Sequence, residues 1–156
     1  MFNAAVMILP DVVMSIYIEC VKDFKSKKPI VELGLSIADM TTGETSIYET
    51  YSAYDDNRYI LDEIFRFIQS HSPKEMIIHT ENLEIIGWDE KFIRKSLEIR
   101  NEVLHFDFYK SSNSNILKPA YIESLLDKVF PLKGSLTPIQ YIGLDKNPTS
   151  LRSFIY

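Results

Sequence analysis

Cysteine is almost absent from this sequence. The single residue, Cys20, excludes a disulfide framework and any site built from several thiolates of one chain, and such a chain is expected in a reducing compartment. A concentrated basic surface is missing too: the formal net charge is −5 and Lys and Arg are scattered, so autonomous tight binding to nucleic acid is disfavoured. No apolar run reaches the roughly 18 residues of a membrane helix. The start, MFNAAVMILPDVVM, lacks the basic n-region and small-residue cleavage site of a signal peptide. These absences point to a soluble, intracellular protein with no membrane partner. The five glycines, Gly34, Gly43, Gly87, Gly134 and Gly143, lie too far apart for GxxxxGK[ST] or GxGxxG, so no nucleotide cofactor is expected for this chain. Repeats and low-complexity tracts are absent as well.

What is present suits one globular domain: 156 residues, 46% hydrophobic and 25% charged. VVMSIYIEC, Val12 to Cys20, has the β-branched and aromatic composition of a buried strand, and the lysine-rich stretch Asp23 to Lys28 reads as a connection. Ile30 to Met40 predicts a second strand, with Val31, Leu33, Leu35 and Ile37 sharing one face, and Gly43 sits in the turn before a third strand, Glu44 to Tyr51. Asp55 and Asp56 are placed to cap a helix carrying Ile60, Leu61, Ile64, Phe65 and Ile68 at helical spacing until Ser72 and Pro73 stop it. Glu75 to His79 predicts a buried central strand, Trp88 to Ile99 a second helix, and Val103 to Tyr109 a fifth strand. SSNSN at Ser111 to Asn115 reads as a loop. Pro119 opens a helix with Ile122, Leu125, Leu126 and Val129 on one side, and Thr137 with Pro138 and Asn147 with Pro148 mark two short helical starts. The order β-β-β-α-β-α-β-α predicts an α/β fold: a mixed five-stranded sheet, three antiparallel strands first, flanked by helices in the ribonuclease H-like topology, with a helical C-terminal segment.

A nuclease on such a sheet needs carboxylates that converge on two divalent metals. Glu19, Glu81 and Asp107 are the candidates, but with 22 acidic residues in the chain one near each of three strand ends is expected by chance. His71, His79 and His105 show no metal-ligand spacing and read as boundary residues, so no metal is assigned. Cys20, with only Lys22 as a nearby base, reads as a buried structural thiol. Nine Tyr and nine Phe could offer stacking surfaces, but Phe65, Phe67, Phe106 and Phe108 fall on amphipathic patterns, which favours packing. No catalytic, cofactor-binding or metal residue is assigned.

LGLSIADMTTGETSIYE resembles the second and third strands of the connector domain of the MutS family of DNA mismatch-repair ATPases, through Asp39, Thr41, Thr42, Gly43 and Glu44. The tail from Leu117, LKPAYIESLLDKVFPLKGSLTPIQYIGLDKNPTSLRSFIY, is similar to the passage from connector to helical core in the branch found in large DNA viruses and coral mitochondria. Tyr121, Phe130, Pro131, Pro138, Ile139, Tyr141, Leu144 and Pro148 carry that likeness. The resemblance implies a ribonuclease H-like domain that is not a nuclease, spanning residues 12–132, after an N-terminal extension at 1–11 and before a helical segment at 133–156. It implies a mechanical role between mismatch recognition and a distant ATPase, with ATP and Mg in that missing module. Expected partners are neighbouring domains, mismatched duplex DNA through a dimeric parent, and a MutL-type protein. The setting would be an infected cell or an organelle. The family's Phe-x-Glu motif and Walker A loop are absent, and SLRSFIY starts a helix too short to stand alone, so a piece of a larger protein is expected. The alternatives are a metal-dependent nuclease using Glu19, Glu81 and Asp107, or a free-standing interaction module.

Overall fold

The computed structural model describes residues 9–53, 55–99, 105–110 (backbone only), 118–129, 131, 133–147, 149 and 153. The SSNSN loop, Val103 and Leu104, Pro148, and most of SLRSFIY lie outside them.

Strands β1 (Val12–Lys22) and β2 (Pro29–Asp39) pair antiparallel along their whole length, from Val12 opposite Asp39 to Lys22 opposite Pro29. That pairing carries β1 two residues past Cys20, where composition alone had ended it: ladder bonds to a partner, not propensity, set the strand's end. Strand β3 (Thr45–Tyr51) returns antiparallel to β2, while β4 (Glu75–Glu81) lies parallel to β1 and β5 (His105–Lys110) parallel to β4. The sheet order is β3-β2-β1-β4-β5. A three-strand meander extended by parallel strands on the far side of its first strand is the ribonuclease H-like arrangement, so the fold is α/β as expected.

Period two gives the sheet two unlike faces. Met14, Ile16, Ile18 and Cys20 of β1, Val31, Leu33, Leu35 and Ile37 of β2, and Met76 and Ile78 of β4 form one continuous buried layer. Helix α1 (Tyr59–His71) covers that layer with Ile60, Leu61 and Ile64. Its start is a correction. Arg58, not an aspartate, holds the N-cap position and makes no side-chain cap bond, while Asp56 Oδ1 accepts from the Tyr59 N–H at 3.2 Å. Ser72, at φ +44, ends the helix as its N–H donates to the Ile68 carbonyl.

The stretch expected as one helix from Trp88 to Ile99 divides differently. Leu83–Ile86 form a 3-10 helix, Gly87 turns the chain at φ +73, and Asp89 Oδ1 accepts from the Phe92 N–H at 2.7 Å to cap a short α2 (Glu90–Ser96). Glu98, at φ +47, stops it before Ile99. Leu83, Ile93 and Leu97 still reach the core. Helices α3 (Pro119–Val129) and α4 (Pro138–Tyr141) share a separate apolar cluster of Ile122, Leu126, Ile139 and Leu144. Thr137 caps α4 in a reciprocal box with Gln140, as its position before Pro138 suggested. Val129, expected on the packed side of α3, is 62% exposed, because it is the last residue of the helix and lies outside the cluster that Ile122 and Leu126 share with Ile139 and Leu144.

Candidate functional site

The turn that carries the family-like motif is held mainly by its own polar groups. The Asp39 carboxylate accepts from the Thr41 N–H at 2.8 Å, Thr42 Oγ1 accepts from the Glu44 N–H at 3.2 Å, and the Gly43 N–H donates to the Asp39 carbonyl at 2.8 Å. Gly43 takes φ +76, which a side chain would oppose. Backbone hydrogen bonding from Thr41 holds the Asp39 carboxyl below its ordinary range. Each motif residue is spent on the turn, and Asp11 is drawn in through its N–H to Thr41 Oγ1 at 3.2 Å.

The sheet's second face is where polar groups gather. Register places Glu32 of β2, Glu19 of β1 and Glu81 of β4 in one row, with Gly34, Tyr17 and His79 in a neighbouring row on the same side. The Tyr17 hydroxyl donates to Glu19 Oε2 at 3.0 Å, and His79 Nε2 lies 3.1 Å from Glu81 Oε1. Tyr17 and His79 stack, centroids 5.3 Å apart and planes within 7°, and both are buried. Burial pushes the His79 pKa down, opposed by the Glu81 hydrogen bond and the Glu81 and Glu19 charges, so the ring is held neutral.

Thr149 and Ser153 meet this face. The Thr149 hydroxyl donates to Glu32 Oε2 at 3.1 Å, and the hydroxyls of Ser153 and Ser36 are 2.7 Å apart; both Thr149 and Ser153 are buried. Thr149 and Ser153 are four apart in sequence, and their partners Glu32 and Ser36 are four apart on β2. An open cavity of about 210 Å³ on this face is lined by Val13, Ser15, Ser36, Ile47, Ile77 and Ser153.

Of the proposed catalytic carboxylates, Glu19 and Glu81 are register partners, but Asp107 is level with Ile77, four residues short of Glu81. At about 3.3 Å per residue that is roughly 13 Å along the sheet, too far for a shared metal pair. Among the described residues no group of three or more His, Cys, Asp or Glu is arranged to hold a metal ion. His71 sits at the end of α1, its Nδ1 3.0 Å from the Phe67 carbonyl, while His105 lies at the start of β5, level with Glu75. Cys20 is buried in the core, and burial first, then Glu19 and Glu84, push its thiol pKa up. Among the described residues no helix is long and apolar enough to cross a membrane.

Glu32, Ser36, Thr149 and Ser153 were not singled out by sequence reasoning. The polar alternation of Glu32 and Ser36 against Val31, Leu33, Leu35 and Ile37 was the available signal, but only tertiary pairing brings Thr149 and Ser153 to them, 117 residues away.

Comparison with known proteins gives one substantial likeness. The chain is 27% identical over 149 residues to a DNA mismatch repair protein mutS homologue of Acanthamoeba polyphaga mimivirus, covering 85% of this chain and 13% of that protein. The chain thus spans about one eighth of the relative it matches. No protein-family model matches. Similar solved structures include the Aquifex aeolicus PPX-GPPA enzyme, at TM-score 0.41 and 12% identity over 81% of this chain and 43% of that one. Thermus thermophilus RuvC follows at 0.38 and 10% over 92% and 91%, and Halobacterium salinarum ribonuclease H1 at 0.33 and 8% over 65% and 87%. The fold assignment rests on strand order and direction, not on these distant likenesses. By sequence, this stretch of chain is similar to part of a mutS homologue from Acanthamoeba polyphaga mimivirus.

Proposed function

We propose that this chain is the connector of a MutS-type mismatch-repair protein, a stiff body that couples mismatched-DNA binding to a distant ATPase without making or breaking covalent bonds. The observation that carries this reading is the 27% identity to a mutS homologue over 85% of the chain. Its physical basis is the contrast between the two faces of the sheet. One is a continuous apolar core that resists deformation. The other makes two side-chain hydrogen bonds, to Thr149 and Ser153, beside an open cavity. One neutral and one charged hydrogen bond contribute together about 2–4 kcal/mol net, the size of gap at which a ligand elsewhere can shift one docked arrangement toward another. The infected-cell setting, the ATP and Mg of the parent, its dimerisation and a MutL-type partner belong to the same proposal.

A disulfide between the two serine positions tests it. In the full-length protein, Ser36→Cys with Ser153→Cys, oxidised, should keep mismatched-duplex binding and basal ATP hydrolysis but lose the stimulation of hydrolysis by a mismatch. Undiminished stimulation in the cross-linked protein would overturn the reading. Hydrolysis of nucleic acid is the alternative that the pairing of Glu19 with Glu81 keeps in view. Cleavage of single-stranded, duplex or hybrid substrates with Mg²⁺ or Mn²⁺, abolished by Glu81→Gln, would establish it instead.

A further inference from the structure

The loop between β1 and β2 runs against the charge of the rest of the molecule. Lys22, Lys25, Lys27 and Lys28 with the single acid Asp23 give seven consecutive residues a formal +3, in a chain whose total is −5. None of the four lysines enters an ion pair among the described residues, and all four are exposed. At their centre Phe24 is 87% exposed, the most of any large apolar side chain among the described residues. The Lys27 ammonium sits 4.7 Å from the Phe24 ring centroid.

The loop is also pre-shaped. The Asp23 carboxylate accepts from the Ser26 N–H at 2.6 Å, the Asp23 N–H donates to the Lys28 carbonyl and the Lys27 N–H to the Asp23 carbonyl, each at 2.9 Å. Ser26 Oγ accepts from the Lys28 N–H at 3.2 Å, and Lys27 takes φ +59. The one acid in the run is therefore committed to the loop's own backbone, and little ordering remains to oppose binding.

We propose that Lys22–Lys28 is a contact point for single-stranded nucleic acid, the lysines meeting backbone phosphates and the Phe24 ring stacking on an unpaired base. A solvent-exposed aromatic ring among lysines that form no ion pair is the chemistry that single-strand binders use. An anionic lipid surface fits less well, because the loop offers one apolar side chain to bury, where interfacial binding scales with apolar area. The contact is weak and sequence-independent, limited to about four phosphates. It stands on this loop alone, so its failure leaves the connector reading untouched.

Fluorescence anisotropy of the 156-residue chain with labelled oligothymidylate, and with a duplex of equal length, tests the proposal. The expected result is binding in 50 mM salt that weakens as salt rises, with a log–log slope of about −3 for the single strand. Phe24→Ala should weaken the single strand about tenfold while leaving the duplex nearly unchanged. Lys25→Gln with Lys27→Gln should weaken both and lower the slope by about 1.4. These positions are exposed, and unchanged circular dichroism would confirm folded variants. Absence of oligonucleotide binding in 50 mM salt, binding indifferent to both variants, or Phe24-dependent binding to phosphatidylserine vesicles with none to oligothymidylate would each overturn the proposal.

Discussion

Gly43 and His79 show how single residues hold this molecule in shape. At φ +76 nothing lies within 4 Å of where a Cβ would stand on Gly43, so a substitution meets backbone strain and no clash. Gly43→Ala is expected to cost about 1 kcal/mol, read from urea denaturation with an unchanged slope. His79 acts through its charge state. Its folded pKa is depressed, chiefly by burial, below the 6.5 of an unperturbed ring. Below pH 6.5 the unfolded chain takes up a proton that the folded chain still refuses, so stability present above that value is lost as the pH falls toward the folded pKa. Denaturation midpoints at pH 7.5 and 5.5 should therefore differ, and His79→Phe should remove that ring's share of the difference. The turn glycine was legible in the sequence because only a few residues suit a positive φ. The neutral histidine was not, since its burial against Tyr17 depends on which strands lie side by side.

Among the elements, α1 and β2 were the most legible, and for the same reason: each presents one unbroken apolar stripe at its own period, Ile60, Leu61 and Ile64 on the helix and Val31 through Ile37 on the strand. What periodicity hid is the carboxylate inside the helix stripe. Glu63 is only 4% exposed, accepting from the Tyr48 hydroxyl at 2.9 Å and paired with Arg66. Burial, then the Glu63 hydrogen bond, push the Tyr48 phenol pKa up to about 12. Tyr48→Phe removes a bond to a buried charge and is expected to destabilise the joint between α1 and β3 by about 1–3 kcal/mol. A change under 0.3 kcal/mol in urea denaturation would mean that Arg66 alone satisfies Glu63. Helix α2 was overextended in the sequence reading because the apolar positions Phe92, Ile93, Leu97 and Ile99 span the whole stretch; the structure places Trp88 at the entry, its ring tilted 37° to that of Phe92 with centroids 5.6 Å apart, and Leu97 and Ile99 at the exit.

At the scale of the whole molecule, the layer order followed from the change of period along the chain, while the candidate site did not, because it is assembled from β1, β2, β4 and a segment 117 residues from β2. The three carboxylates picked for strand position prove to be two neighbours and an outlier, with Glu32 filling the row instead. On the proposed reading, this face serves as a dock. Hydrogen–deuterium exchange of the full-length protein, with and without ATP, addresses this most directly. Amides of β1, β2 and β4 should stay protected in both states, while the peptide carrying Thr149 and Ser153 changes its exchange rate. Uniform exchange of that peptide in both states, or nucleotide-dependent loosening throughout the sheet, would contradict a stiff body with a movable dock.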